Sequence, residues 1–455
     1  MGSEMCIRDR GFYVQFSFEP RVVSVEQAIR TAEDICRTYP RINALELITE
    51  ETGGWGPHCT AEEVHRTLDS YFTKEIASDT AVCAPIRPEQ SDLNALYTQI
   101  GIISQAIARM QERKDFGPQL KLGIYCAVEP YMHGAYRLAR LALPETPVCI
   151  MPSHGSGSTA TAFSQLVTSP DDMRNTELYS WIEFDGLMYL QQNSITGNSR
   201  VMEHIDAILP GEQYSSLLYN HWRTAENRIS ARYAMESTLS GRLSPDSFYT
   251  DYARRLSIQD SKLFGRVQTA LQQANDNARN HLGNIGFCWV GAWRDGGSFA
   301  YMDTTRVRET RDLYMKAGEH LTQLISGIEK EAPAYYYLAF TGNRILCSVM
   351  YLDAFLEAAP IRTIKAGANG IIPDADKARV QEICDRALLH FEQYMDTHAR
   401  MMPDRGCEGT LVSVWNAPIR GLKVYRSRMA GVPLETRPHT TTPVDAPPLP
   451  IFYGD

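Results

Sequence analysis

Ile42-Asn43-Ala44-Leu45-Glu46-Leu47-Ile48-Thr49-Glu50-Glu51 decides the fold. It is a strand-length run, mostly apolar, that stops on two carboxylates. Thr52-Gly53-Gly54-Trp55-Gly56-Pro57-His58 follows, a glycine-rich loop that neither extends a strand nor starts a helix. Five other runs end the same way. Phe12 to Phe18 closes on Glu19, Leu120 to Val128 on Glu129, and Val148 to Pro152 on His154. Ser180 to Ile182 closes on Glu183 and Asp185, and Ser215 to Asn220 on His221 and Trp222. A buried parallel strand is apolar along its length, so a polar group recurring where the run stops is a placed group.

Helical spacing fills the intervals. Val25, Ala28, Ile29, Ala32 and Ile35 mark one face of a helix over 25–39. Further helices are predicted over 61–72, 93–113 with Asp92 as its cap, 134–143, 158–167, 200–208, 226–239 and 245–256. From Ser261 the pattern is almost wholly helical, over 261–280, 306–329, 335–358 and 374–397. The predicted fold class is α/β: a (β/α)8 TIM barrel lacking its first two strands, over residues 11–260, with an α-helical C-terminal region over 261–435. In such alternating chains the carboxyl ends of the strands form the functional face. The Pro- and Thr-rich end, 436–455, is expected to be extended or disordered.

The composition is that of a soluble globular protein, 44% apolar and 22% charged over 455 residues. No run reaches membrane-span length. A net charge of -9 without a Lys/Arg block argues against nucleic acid as a partner. The ten cysteines are scattered singly from Cys6 to Cys407, without CxxC or Cys/His ligand spacing, so neither a disulfide framework nor a zinc site is expected. No metal and no cofactor are predicted. Free thiols fit a reducing compartment, but cytoplasmic and secreted locations both stay open, as does the oligomeric state.

Gly2-Ser3-Glu4-Met5-Cys6-Ile7-Arg8-Asp9 matches the translation of a transposase adapter used to build sequencing libraries. Residues 1–10 are therefore expected to be a metagenomic scar, with the native chain beginning upstream. On that count the six runs are strands three to eight of a barrel. Glu50 and Glu51 then end strand four, and Glu183 and Asp185 end strand seven.

With those placements the sequence resembles the superfamily of retaining glycoside hydrolase barrels, which carry an acid/base glutamate after strand four and a nucleophile after strand seven. The segments Trp181-Ile182-Glu183-Phe184-Asp185-Gly186 and Asn220-His221-Trp222-Arg223-Thr224-Ala225-Glu226 also resemble bacterial barrels related to α-glucuronidases and hexosaminidases. Phe248-Tyr249-Thr250-Asp251-Tyr252-Ala253 has the same character. The family's Asn-Glu pair at strand four is replaced here by Thr49-Glu50-Glu51. The resemblance implies a glycosidase of polysaccharides or oligosaccharides. Its two carboxyl groups would face each other across a glycosidic bond, one releasing the leaving oxygen and the other attacking the anomeric carbon.

The expected catalytic set is Glu50, Glu51, Glu183 and Asp185. Period-two alternation lets only one of Glu50 and Glu51 face the site, and which one stays open. Glu183 and Asp185, two apart, share a face. The competing reading of that pair is structural, bonded to neighbouring backbone. Substrate contacts are expected from Glu19, Trp55, Glu129, His154, Asn220, His221, Trp222 and Glu226. Trp222 is the best-placed flat wall for a sugar ring. Tyr131, His133, Trp181 and Trp293 are further candidates. Three other readings stand beside the retaining hydrolase: an inverting glycosidase using Asp185 or Glu226, a non-catalytic carbohydrate-binding barrel, and a metal-dependent sugar isomerase.

Overall fold

A computed structural model describes residues 13–20, 24–51, 59–88, 91–113, 116–125, 131–212, 214, 216–240, 243–286, 302–364, 372–403 and 407–434. Residues 1–10, Trp55, Glu129, Trp293 and the tail 436–455, all singled out from the sequence, lie outside the described residues.

Six strands form one sheet in chain order: β1 (Gln15–Phe18), β2 (Ala44–Ile48), β3 (Gln119–Tyr125), β4 (Val148–Met151), β5 (Thr176–Trp181) and β6 (Leu217–Asn220). Every neighbouring pair is parallel. The carboxyl ends of all six strands therefore lie along one edge. Between them run α1 (Val25–Thr38), α2 (Ala61–Tyr71), α3 (Ser91–Gln111), α4 (Tyr131–Ala142), α5 (Ser156–Leu166) and α6 (Ile195–Ile208). The result is an α/β half-barrel of six parallel strands.

Local chemistry explains several boundaries. Ser24 caps α1 through the amide of Gln27. Thr60 and Glu63 form a reciprocal capping box on α2, satisfying two otherwise orphaned donors. α3 begins at Ser91, so Asp92 lies inside the helix and is not its cap. β5 begins at Thr176, ahead of the expected Ser180, because its first residues alternate in burial and do not read as an apolar run.

That alternation is the main departure from the expected strands. Leu45, Leu47, Leu120, Leu122, Ile124, Val148, Ile150 and Leu178 join the helices in one apolar core. The intervening residues carry polar groups to the other face. Ser17, Glu46 and Lys121 stand side by side on β1, β2 and β3. Period two thus governs β2 and β3, while β4, Val148-Cys149-Ile150-Met151, is buried and apolar along its length.

The chain divides into two compact units: residues 1–181 with 200–220, and 182–199 with 221–455. The expected boundary at residue 260 falls inside the second unit. Helices α7 (Arg228–Ser240) and α8 (Pro245–Arg255) share an apolar core with the C-terminal helices through Ile229, Tyr233, Phe248, Tyr249 and Tyr252. Four long helices follow, α9 (Ser261–His281), α10 (Thr304–Ile325), α11 (Pro333–Ala358) and α12 (Asp374–Ala399), each packed on the next. Asp260 caps α9 and Asp303 caps α10 through main-chain amides. The last described elements are α13 (Glu408–Val414), a π-helical turn at Trp415–Ile419 containing Pro418, and α14 (Arg420–Ala430), which ends on Gly431 at φ 72°. Among the described residues no helix is long and apolar enough to cross a membrane.

Candidate active site

In the first unit the polar face of the sheet is a continuous hydrogen-bonded layer. Glu46 accepts from the Ser17 hydroxyl and from the Gln15 amide at 2.9 Å. Lys121 donates to Gln15 Oε1 at 2.8 Å, pairs with Glu177 on β5, and lies over the Tyr13 ring at 5.1 Å. Burial pushes the Glu46 carboxyl above its ordinary range, against the pull of Ser17. Gly123 makes room for that carboxyl. A Cβ there would collide with Glu46 Oε1 and would stand 2.8 and 2.9 Å from Ile48 side-chain atoms. The signal available in the sequence was a charged residue inside each of two strand runs, Glu46 and Lys121.

At the carboxyl edge of the same sheet, the two adjacent glutamates part company. The Glu50 main-chain amide donates to Gln99 Oε1 of α3 at 2.8 Å, and Gln99 Nε2 donates back to Glu50 Oε2 at 3.4 Å. Glu51 instead meets His154, with Oε1 3.1 Å from Nε2. The same Nε2 lies 2.9 Å from the hydroxyl of Tyr125, the last residue of β3. Thr49 holds this corner by accepting from the Tyr125 amide at 2.9 Å. The His154 ring lies 5.8 Å from the Trp181 ring, which stacks on Tyr179 at 6.4 Å. Glu51 and His154 are both part-exposed. The structure thus brings together Glu51 and His154 and adds Tyr125, which sequence reasoning missed because an aromatic inside a strand reads as core. Glu19 is exposed just beyond β1, and Asn220 is half-buried as the last residue of β6.

In the second unit, Glu183 and Asp185 surround one segment, His221 to Asn227. Glu183 is wholly buried. It accepts from the main-chain amides of Trp222 and Arg223, from Arg223 Nε at 2.9 Å and from Asn227 Nδ2 at 2.8 Å. Arg223 also donates to the carbonyls of Met188 and Leu190. Asp185 Oδ1 accepts from Trp222 Nε1 at 2.9 Å. Both acids therefore fix Trp222, which is nonetheless 58% exposed. An indole gripped at its main chain and its ring nitrogen presents a rigid apolar face to solvent.

Glu226 is buried opposite Arg344, with Oε1 3.6 Å from Nε. Neither of its oxygens accepts a hydrogen bond among the described residues. Burial opposes its charge, but Arg344 and Arg223 outweigh burial and hold the carboxyl below its ordinary range. Arg344 in turn contacts His398 Nδ1, and His398 Nε2 faces the Cys407 carbonyl at 3.0 Å. Nε2 therefore carries the hydrogen. Burial, reinforced by Arg344, lowers the His398 pKa to about 4. His221 Nδ1 is buried without a hydrogen-bond partner among the described residues. Arg223 stood in a segment that carried the resemblance, without a role of its own, and Asn227, the residue before α7, was visible only as a polar residue near a helix start. For Arg344 the signal available in the sequence was a cation inside a long, mostly apolar helix.

Among the described residues no group of three or more His, Cys, Asp or Glu is arranged to hold a metal ion.

No protein-family profile matches the chain. No curated protein matches it. Six solved chains match in backbone arrangement. One of these is a GH138 enzyme targeting pectin rhamnogalacturonan II. It is 11% identical, with a TM-score of 0.49, over 90% of this chain and 69% of that one.

Proposed function

We propose that the chain is a glycoside hydrolase acting on a polysaccharide or oligosaccharide, built on six of the eight strands of a (β/α)8 barrel. The observation that carries this reading is Trp222: a flat, exposed indole locked by Asp185, in a segment anchored by Glu183. Pyranose rings bind through apolar C–H faces against such a wall, with carboxylates and amides taking the hydroxyls. Glu51, part-exposed at the strand edge and paired with a histidine, has the setting of a group that gives and takes protons. A retaining mechanism needs a second carboxylate as nucleophile.

Incubation with aryl glycosides and oligosaccharides, followed by trapping with a mechanism-based fluorosugar, tests the proposal. A covalent adduct on Asp185 or Glu183 would establish a retaining glycosidase and name its nucleophile. Turnover with inversion at the anomeric carbon, followed by NMR, would overturn retention alone. Sugar binding without turnover across the panel would overturn catalysis. That last outcome is the second reading, a non-catalytic carbohydrate-binding protein. Its support is the bonding of Glu183, whose two oxygens are both engaged by Trp222, Arg223 and Asn227.

A further inference from the structure

Three helices of the second unit reach with buried polar side chains to the two loops, 185–192 and 221–227, that carry Asp185 and Trp222. From α10 the Tyr314 hydroxyl donates to the Gln191 carbonyl at 2.6 Å. From α11 the Ser348 hydroxyl accepts from the Gln191 amide at 2.8 Å. From α12 the Tyr394 hydroxyl donates to the Tyr189 carbonyl at 3.0 Å. Gln191 joins the loops to each other, its Nε2 donating to the Glu226 carbonyl at 3.3 Å. Arg344 of α11 stands between these contacts: Nη2 donates to the Tyr394 oxygen at 3.0 Å, and Nε lies 3.6 Å from Glu226 Oε1. Tyr314, Arg344, Ser348 and Tyr394 are wholly buried. Burying such groups costs free energy that only hydrogen bonds or an opposite charge return, so this inner face of the helices is fitted to the two loops. The loop that bears Trp222 is held at both ends by charge, Arg223 on Glu183 and Glu226 on Arg344. Between those anchors the Asn227 amide donates to the Arg223 carbonyl at 3.0 Å and closes the turn, so a displacement of Glu226 is carried to the residues before it.

We propose that Arg344 is a positioning residue of the Trp222 platform. Paired with Glu226, and set among Tyr314, Ser348 and Tyr394, it fixes the loop whose indole Asp185 holds, so that carbohydrate affinity depends on helix side chains that no ligand reaches. The helices α10 to α12 are then the base of the binding site and not an appendage to it. The inference rests on the carbohydrate reading for its functional meaning, while the placing of Trp222 by Arg344 is a property of the folded chain. A rigid platform binds more tightly than a loose one because less order is lost on binding.

The test uses the full chain as wild type, Arg344→Met, Glu226→Gln, the double variant, and Val380→Ala, which trims the same apolar core on α12. The first readout is the Trp222 indole N–H resonance, identified as the cross-peak absent from Trp222→Phe, because that hydrogen is bonded to Asp185. The second is affinity for a panel of cello-, xylo- and galacturono-oligosaccharides, measured by calorimetry. Arg344→Met and Glu226→Gln should each move the indole resonance and weaken binding by about tenfold. Each single change leaves a buried charge unpaired and destabilises the chain, and removing both charges recovers much of that stability. The double variant should nonetheless keep the displaced resonance and the weak binding, since the anchor is gone. Val380→Ala, destabilised with the anchor intact, should keep both readouts at their wild-type values. If the single variants do not fold, Ser348→Ala and the double variant carry the same two measurements. An indole resonance unmoved in the double variant would overturn the proposal. So would affinity that returns together with stability, or a Val380→Ala resonance displaced as far as that of Arg344→Met. A wild type that binds none of the panel would count against the carbohydrate reading alone, and the indole resonance would still decide whether Arg344 places Trp222.

Discussion

The strand edge of the first unit and the buried lattice of the second use the same side-chain types to opposite ends. Glu51, His154 and Tyr125 share one nitrogen between two oxygens, with solvent at hand. Arg223, Asn227 and the main-chain amides give both Glu183 oxygens a charged or amide donor, out of solvent. A carboxylate whose lone pairs are all taken is a fixture. A part-exposed carboxylate with a single imidazole contact keeps lone pairs open to other partners. The two acids follow their strands alike and differ in the number of donors around them.

The sharpest way to break that comparison is Arg223→Ala. It strips Glu183 of its ion pair and leaves a buried carboxylate held only by amides. The expected loss is about 3–5 kcal/mol of unfolding free energy, read by urea denaturation. A loss near that of an average surface change would show that Glu183 is not the fixture described.

The second unit should also carry a pH signature. His398, depressed to about 4 from 6.5, is neutral in the folded chain across a range where the unfolded chain protonates it. The unfolded state then binds more protons, so stability falls as pH drops. The contribution is intact above about pH 6.5 and is lost progressively down to about pH 4, roughly 3 kcal/mol in all. Chemical denaturation at a series of pH values should show this slope in the wild type and lose it in His398→Gln. An unchanged slope in the variant would assign the acid sensitivity elsewhere.

Gly123→Ala tests the first unit's interior layer. The added methyl meets the Glu46 carboxyl and Ile48, so about 1–3 kcal/mol should be lost. Glu46→Ala in the same chain should return part of it. Additive losses in the double variant would mean the two positions do not touch.

Trp222→Ala should have the smallest effect on stability, about 1 kcal/mol, because the ring is largely exposed and only its hydrogen bond to Asp185 is lost. If Trp222 is a sugar platform, the same change should reduce carbohydrate affinity about tenfold or more, measured by calorimetry. A stable variant that binds as tightly as wild type would remove the platform.

Much of the fold was legible because βα alternation is a pattern of period and punctuation. The helices from Val25 and from Ser261 onward, and the strands other than the start of β5, followed from spacing and turn residues. The strand interiors were harder. Glu46 and Lys121 lie in runs that read as apolar, and only the pairing of neighbouring strands shows that they share a face with Ser17 and Glu177. The site was legible to the level of residue type. His154 and the two acid pairs stood out after their strands, but the partners that give them meaning, Tyr125, Gln99, Arg223 and Asn227, are set by tertiary contacts between distant segments. The division of the chain was hidden for the same reason: nothing in the local pattern marks Trp181 or Asn220 as an end.

The glycine under Glu46 has a consequence for descent as well as for stability. Because any side chain at position 123 intrudes on the carboxyl at position 46, the two positions are not free to drift separately. Natural relatives of this chain should either keep both residues or change both, the branch that gains a methyl on β3 having first shortened the acid on β2. A sequence carrying alanine at the first position and glutamate at the second, in a protein that folds and works, would show that the strands have parted there.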